Sequence, residues 1–249
     1  MSARFATWKL ISLYRNRGLV TVILGIGALA VIAIVTGRWG AQLLSAATGM
    51  ELEGVLGEPS TITTWQQWMS NLNQIVLLVV AIWAGYTTFT LRRNGEATGL
   101  LTKPLTRTAL LHVSWLIPTA LTLAIAALGS AAVALITQAL YADVEWARLA
   151  GSLGLWALSA VVWATIGALG GVLASSTIAA IVIPVVGVLA GGILSAIPAL
   201  ADYSFVGLFP MSTAIVTGPI EPWWAMGTGI AVILIGLWMA RARFSREDL

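Results

Sequence analysis

Residues 149–200 read LAGSLGLWALSAVVWATIGALGGVLASSTIAAIVIPVVGVLAGGILSAIPAL and contain no charged side chain and no histidine. The run is interrupted only by the small polar stretch ASST at 174–177. A helix needs about 20 mostly apolar residues to cross a bilayer, so each half predicts one spanning helix, over 149–173 and 178–200. The same criterion predicts four more spans, over 18–36, 75–91, 115–140 and 223–240. We therefore expect an all-α polytopic membrane protein, with six transmembrane helices in a single transmembrane domain over 1–249.

The composition of the whole chain excludes the soluble classes of protein. Hydrophobic residues make up 59% and charged residues 9%, whereas a soluble globular chain has about 45–50% and about 25%. The same values exclude intrinsic disorder, which needs low hydrophobicity and high charge. The chain has no cysteine and one histidine, so it offers neither a disulfide nor a multi-histidine metal site. With a net charge of only +3, we expect no nucleic-acid partner and no metal.

The charged residues are distributed unevenly between the two sides of the predicted membrane domain. Eleven of the 13 basic residues lie in 1–17, in 92–112 and in the tail after the last span. Seven of the 10 acidic residues lie in the other loops. Loops rich in Lys and Arg stay on the cytoplasmic side of a membrane. We therefore expect both termini in the cytoplasm and the segment 202–222 outside the cell.

The first 17 residues have a helical pattern of their own. Phe5, Trp8, Ile11 and Tyr14 recur every three residues among basic side chains. This pattern predicts an amphipathic helix over 1–17 that lies in the cytoplasmic membrane interface. A merely polar flank to the first span is the alternative interpretation.

The chain carries no motif for nucleotide binding or hydrolytic catalysis. It contains no G-x-x-x-x-G-K-[ST], no H-E-x-x-H and no G-x-S-x-G. The predicted spans hold no ionisable residue that would relay protons or ions. We therefore expect a chain that is not an enzyme and holds no cofactor, so that any uphill transport takes its energy from a partner. The alternative is ion coupling at a helix broken near Pro184, beside Gly187 and Gly191.

Glycines four residues apart predict close contacts between helices in the fourth and fifth spans. The pairs are Gly167 with Gly171 and Gly187 with Gly191. Such spacing lets the backbones of two membrane helices approach each other. Because glycine is frequent throughout the spans, the pattern does not identify the partner helix.

Tryptophans mark both the expected membrane interfaces and the interior. Trp65 lies in 61–74, which we expect to form a short helix on the outer membrane surface. Trp156 and Trp163 lie deeper and, being seven residues apart, share one helix face. Together with Ser159 they are candidates for facing a transported substrate. Ordinary helix packing, lipid contact and hydroxyl bonding to the helix backbone are the alternatives.

The loop between the second and third spans, LRRNGEATGLLTKPLTRTALLH at 91–112, is the most informative one. Residues 96–101 predict a short helix with an apolar edge, and Pro104 ends it because the residue before a proline avoids the helical conformation. Thr106 is predicted to cap the helix of the third span. A short rigid helix held between two spans, over 92–112, is suited to mechanical coupling with a soluble partner.

Within this loop, residues 96–107 (EATGLLTKPLTR) resemble the cytoplasmic coupling loop of permease subunits in the type-2 ABC exporter family. Those loops typically contain Glu, then Gly-Thr, Leu-Leu and Pro-hydrophobic-Ser/Thr-Arg. Six spans, a basic interfacial helix, an Arg-rich tail and helical structure over 202–222 agree with the family. The resemblance implies that seven residues dock and couple the partner ATPase: Glu96, Gly99, Leu100, Leu101, Lys103, Pro104 and Arg107.

The resemblance further implies a half-transporter in a prokaryotic cell (inner) membrane. Two cytoplasmic ABC ATPase subunits would hold ATP and Mg, and a second six-span permease, identical or homologous, would complete the complex in membrane lipid. The apolar spans suit a lipid-like, peptide-antibiotic or other amphipathic cargo that is moved out of the cell. An ion-coupled secondary carrier and a non-transporting membrane scaffold are the alternative hypotheses.

Overall fold

The computed structural model describes residues 18–49, 58–93 and 106–245, and within these ranges the chain is helical and contains no strand. The elements in chain order are α1 Gly18–Thr48, α2 Thr61–Asn71, a π-helix Leu72–Val76, α3 Leu77–Arg93, α4 Arg107–Tyr141, α5 Trp146–Leu173, α6 Thr177–Leu194, α7 Pro198–Tyr203, a 3₁₀-helix Phe205–Gly207, α8 Leu208–Ala214 and α9 Trp223–Ser245. The expected amphipathic helix over 1–17 and the expected coupling helix before Pro104 lie outside the described residues.

Six of these helical stretches are long and apolar enough to cross a membrane, as predicted. They are α1, the continuous stretch Thr61–Arg93, α4, α5, α6 and α9. We call Thr61–Arg93, which joins α2, the π-helix and α3, the second span. The chain is thus built as a multi-pass membrane protein. Several helices extend beyond the predicted spans: α1 continues to Thr48, and α4 begins at Arg107.

Contacts between the helix ends define two sides of the bundle. Leu91, Leu110 and Phe244 share one buried cluster, so the end of the second span, the start of α4 and the end of α9 meet there. We call this the terminal side. At the opposite end, the far side, the Thr61 hydroxyl donates to Asp143 Oδ1 at 2.5 Å, which joins the start of α2 to the turn after α4.

The second span begins well before its predicted start. The α2 helix has a capping box, in which Ser60 Oγ accepts from the Thr63 backbone and Thr63 Oγ1 accepts from the Ser60 backbone. Trp65 and Trp68 are buried, and their indole N–H groups donate to serine hydroxyls on α5 and α4 at 3.0 and 2.8 Å. A helix over 61–74 is present, as α2 and part of the π-helix, but its expected place on the outer membrane surface is wrong. Its polar side chains lower the hydropathy of the stretch, yet the indole N–H groups of Trp65 and Trp68 find partners inside the bundle.

The second span and α5 touch backbone to backbone. A Cβ atom on Gly167 would overlap the carbonyl oxygen of Ala81, and one on Gly171 would overlap that of Gly85. The two helices run parallel, because the residue numbers increase along both helices from the first of these contacts to the second. The prediction of a close approach at this glycine pair is confirmed, and α3 is the partner that the sequence did not identify.

The helix α6 is continuous through Pro184 and shorter than predicted. It begins after Ser176, whose hydroxyl accepts from the Ala179 backbone N–H at 3.2 Å, and it ends at Leu194 rather than at residue 200. Pro198 starts the separate helix α7, where the first turn has no need of the missing N–H. The helix break near Pro184 that an ion-coupled carrier would use is therefore not present in α6.

The short helices between α6 and α9 fold back into the bundle. Residues 198–214, which we call the inserted segment, contain α7, the 3₁₀-helix and α8. The rings of Phe205 and Phe209 each lie 5.7 Å from the ring of Trp163 on α5. The helical structure expected before the last span is observed, but it packs on interior helices as well as covering the far side.

A valine at Gly171 tests the contact between the second span and α5. We expect Gly171→Val to lower the midpoint temperature of unfolding in detergent by several degrees, because overpacking a tight contact costs about 1–3 kcal/mol. Gly154→Val is the matched control, since Gly154 lies on the same helix and a Cβ there meets open space. Heating followed by fluorescence-detected size-exclusion chromatography measures both midpoints. Equal midpoints for the two variants would contradict the backbone contact.

Candidate functional site

The predicted coupling residues lie almost entirely outside the described ranges. Six of the seven, Glu96, Gly99, Leu100, Leu101, Lys103 and Pro104, fall within 94–105. Arg107 is described only as the first residue of α4. The Thr106 prediction is confirmed, because its hydroxyl accepts from the Ala109 backbone N–H at 3.2 Å and caps α4. The structure therefore describes the two ends of the loop.

At the start of this loop, two arginines bind the end of α5. Arg92 Nη1 donates to the carbonyl oxygen of Val172 at 2.6 Å, and its Nη2 donates to that of Ala174. Arg93 Nη2 donates to the carbonyl oxygen of Ser175 at 3.1 Å. A cation at a helix C-terminus satisfies carbonyls that have no partner within the helix and complements the helix dipole. We call these contacts the arginine clamp.

The arginine clamp and the glycine contact act on the same pair of helices. Arg92 and Arg93 are the last residues of the second span, while Val172 and Ala174 are at the end of α5. The backbone contact at Gly171 lies within one turn of them. The end of the second span and the end of α5 are therefore joined by both backbone and side-chain contacts.

The three interior candidates, Trp156, Ser159 and Trp163, lie on one face of α5, as their spacing predicts. We call them the polar row. Their exposed fractions are 0%, 0% and 3%, so all three are inside the bundle and none lies on its lipid-facing surface. Three pockets elsewhere in the described ranges, lined by Gly37, by Pro210 and by Val79, do not include these residues. Lipid contact is thereby excluded as their role in this conformation.

The polar atoms of the polar row have no hydrogen-bond partner. Both indole Nε1 atoms and the Ser159 Oγ atom are buried and unpaired. A buried donor without a partner costs about 1–3 kcal/mol of stability. The amide oxygen of Asn73, in the π-helix, is also buried and unpaired. Buried polar groups are usually hydrogen-bonded, so unpaired groups of this kind call for a specific explanation.

Trp163 is the residue at which three elements meet. Its ring packs on Gly191 of α6, where a Cβ atom would overlap it, and lies 3.5 Å from the position of a Cβ on Gly187. Phe205 and Phe209 of the inserted segment approach the same ring from another side. The second predicted glycine pair thus receives an indole ring rather than a helix backbone.

Hydrogen bonds hold the inserted segment to the second span and α5. The Asn73 amide group donates to the carbonyl oxygen of Phe209 at 3.2 Å and to Ser212 Oγ at 3.1 Å. Ser152 Oγ donates to the carbonyl oxygen of Ser212 and accepts from Trp65 Nε1. Sequence reasoning did not single out Asn73 or Ser152. The only signal in the sequence was an amide side chain just before a predicted span. The structure adds that Asn73 lies in a π-helix, a conformation that is frequent at functional sites.

The arrangement favours hydrogen bonding over acid–base or metal chemistry. No charged residue or histidine occurs in 61–91 or in 149–201. Within the described ranges, no three residues of the types His, Asp or Glu come together. The polar atoms that do meet in the interior are neutral amides, hydroxyls and indoles. These groups bind and orient a molecule, but they form no nucleophile–base pair.

The chain matches no protein-family model and no curated protein sequence. The resemblance of residues 96–107 to type-2 ABC exporter permeases thus stands on that stretch and on the order of the spans. A functional interpretation draws on three features of this chain: the loop sequence, the arginine clamp and the uncharged interior.

Replacing Arg92 tests the arginine clamp. We expect Arg92→Gln to lower the unfolding midpoint by several degrees, because hydrogen bonds to a charged group contribute about 1.5–3 kcal/mol. Arg241→Gln is the matched control, since the side chain of Arg241 is exposed on α9 near the same side of the bundle. Thermal unfolding in detergent measures both variants. An Arg92→Gln midpoint equal to that of the control would show that the clamp does not stabilise the fold.

Proposed function

We propose that this chain is the transmembrane permease subunit of an ATP-binding-cassette exporter. Two cytoplasmic ATPase subunits bind and hydrolyse ATP, and a second six-span permease, identical or homologous, completes the complex. The chain itself contributes no catalytic residue and no nucleotide site. The six spans and the absence of a P-loop sequence are consistent with such a division of labour.

One observation carries the proposal most strongly. Residues 96–107 resemble the family's coupling loop, and the described residues on either side of that stretch are anchored. On one side Arg92 and Arg93 bind the end of α5. On the other, Thr106 caps α4 and Leu110 is buried against the end of the second span. A loop with two anchored ends transmits a push to the helices instead of absorbing it.

In this proposal the terminal side of the bundle faces the cytoplasm of a prokaryotic cell. The excess of basic residues on that side follows the positive-inside rule. The inserted segment and the turn at Asp143 then face outwards. The amphipathic helix expected over 1–17 lies in the cytoplasmic interface, next to the docked ATPases.

The proposed mechanism is a two-state movement driven by the ATPases. Closure of the two ATPase subunits pushes the loop, and the second span moves with α5 because their backbones are in contact. The movement changes the packing of Trp163 against Phe205 and Phe209. ATP shifts the equilibrium only to the extent that it binds one of the two arrangements more tightly. An amphipathic cargo held among the spans would leave on the far side.

Co-purification tests the proposal without knowledge of the cargo. A P-loop ATPase should remain bound when the chain is isolated from its native membrane in mild detergent, and the isolated chain alone should hydrolyse no ATP. Absence of any such ATPase would remove the main support. Ion-driven uptake by liposomes that contain only this chain would instead favour the secondary carrier, although the continuous α6 lacks the broken helix expected for it.

Substitutions in the loop test which residues couple the ATPase. We expect Glu96→Arg and Pro104→Gly each to reduce the amount of retained ATPase by about tenfold, equivalent to about 1.4 kcal/mol. In the proposed complex, reversed charge removes the ion pair expected for Glu96, and glycine removes the proline expected to end the coupling helix. Glu58→Arg, on the far side, is the matched control. Quantitative immunoblotting of the complex measures retention, and wild-type retention in both variants would contradict the assignment of the loop.

A further inference from the structure

We infer that the polar row on α5 is a binding site for the carbonyl groups of a neutral amphiphile, such as an ester lipid or an amide. The inference deepens the proposed function and rests on it for the role of that molecule as cargo. The site itself is argued from contacts in the described residues.

The polar row departs from the pattern of the other buried polar side chains. The indoles of Trp65 and Trp68 donate to serine hydroxyls. Buried hydroxyls on α4 donate to the carbonyl four residues earlier, as Ser114, Thr122 and Thr137 do at 2.8–2.9 Å. Ser159 is on a similar helix with a carbonyl at the same spacing and makes no such bond. Other unpaired atoms occur on α2 and α4, but among the described helices only α5 carries three on one face.

The register of the two central helices places Asn73 at the level of the polar row. Trp65 pairs with Ser152, Ala81 meets Gly167 and Gly85 meets Gly171, so residues at the same level differ by 86 or 87 in number. Asn73 therefore lies level with Ser159 and Ala160. Its amide nitrogen donates to the inserted segment, so Asn73 links that segment to the second span at the level of the polar row.

The chemistry of these atoms selects the ligand. An indole N–H only donates, and a serine hydroxyl both donates and accepts, so the polar row offers mainly donors. No lysine, arginine or histidine lies at this depth on the second span or α5 to neutralise a phosphate or carboxylate, and no acid to neutralise an amine. A buried charge without a partner is strongly unfavourable. Ester and amide carbonyls are the neutral acceptors that fit.

The inserted segment separates the polar row from a cavity on the far side. That cavity has a volume of about 540 Å³, and Pro210 and Met211 line it. Phe209, one residue earlier, packs on Trp163 instead. Because the segment contacts the row on one side and the cavity on the other, its outward displacement would join the two. Apolar pockets with a few directed polar groups are the usual form of small-molecule sites.

Photolabelling of the purified full-length chain in lipid nanodiscs tests the inference. The probe is a short-chain diester glycerolipid with a diazirine, compared with the diether analogue that lacks both carbonyls. We expect at least fivefold more labelling of peptides from α5 by the diester probe. Labelling of α5 by the diester probe should fall to the level of the diether probe in each of three variants, Trp156→Phe, Ser159→Ala and Trp163→Phe. Trp39→Phe, at a half-exposed indole on α1, should leave labelling unchanged.

Each outcome of this experiment decides the inference. Equal labelling by the two probes, no labelling of α5, or labelling that persists in all three variants would overturn it, and water alone would then occupy the row. The experiment contains no ATPase, so its result is independent of co-purification. Labelling of α5 without a co-purifying ATPase would support the binding site and contradict the exporter proposal. A co-purifying ATPase without labelling of α5 would support the exporter proposal and contradict the binding site.

Thermal unfolding of ligand-free protein separates a binding role from a structural one. We expect Ser159→Ala to leave the unfolding midpoint unchanged or raise it, because it removes a buried hydroxyl that has no partner. Trp163→Phe should lower the midpoint less than Trp68→Phe does, because both remove ring volume but only Trp68 also loses a hydrogen bond. Trp68→Phe is the matched control and should lower the midpoint, since it removes a satisfied hydrogen bond to Ser130. A large decrease for Ser159→Ala would assign that hydroxyl a structural role and contradict its place in the site.

Discussion

The backbone contact between the second span and α5 is the constraint on which the rest of the bundle depends. Gly167 and Gly171 have no side chain to hold the helices apart, so the carbonyl oxygens of Ala81 and Gly85 lie against the backbone of α5. Contact at this distance sets both the separation and the register of two helices. Every other feature of interest is attached to this pair: the arginine clamp at one end, the polar row in the middle and the inserted segment at the other end.

Hydropathy was sufficient to locate the six spans, because an uncharged run of about 20 residues has few other uses. It failed at α2, where polar side chains lower the average although Trp65 and Trp68 are fully enclosed. Their serine partners lie on other helices, so no local pattern identifies them. The π-helix Leu72–Val76 was also beyond prediction, since nothing in its five residues distinguishes it from an α-helix. The Thr106 cap was predictable because capping is a local interaction.

Helical geometry allowed the sequence to predict which residues of the candidate site share a helix face, and nothing more. A spacing of seven residues correctly placed Trp156 and Trp163 on one face of α5. It carried no information on what covers that face. The covering residues, Phe205 and Phe209, come from a segment that the sequence placed outside the cell. Asn73 was missed for the same reason, because its partners lie more than 130 residues away in the chain.

The contacts at the terminal side of the helix pair are stronger than those at the far side, which favours movement at the far side. At the terminal side, charged guanidinium groups bind helix carbonyls, and charge-assisted hydrogen bonds are roughly twice as strong as neutral ones. At the far side, the inserted segment is held by neutral donors from Asn73 and Ser152 and by aromatic contacts. In the proposed transporter, a push on residues 94–105 would therefore leave the clamp intact and separate the inserted segment first. The unpaired donors of the polar row favour that separation further, because opening gives them partners they lack when closed.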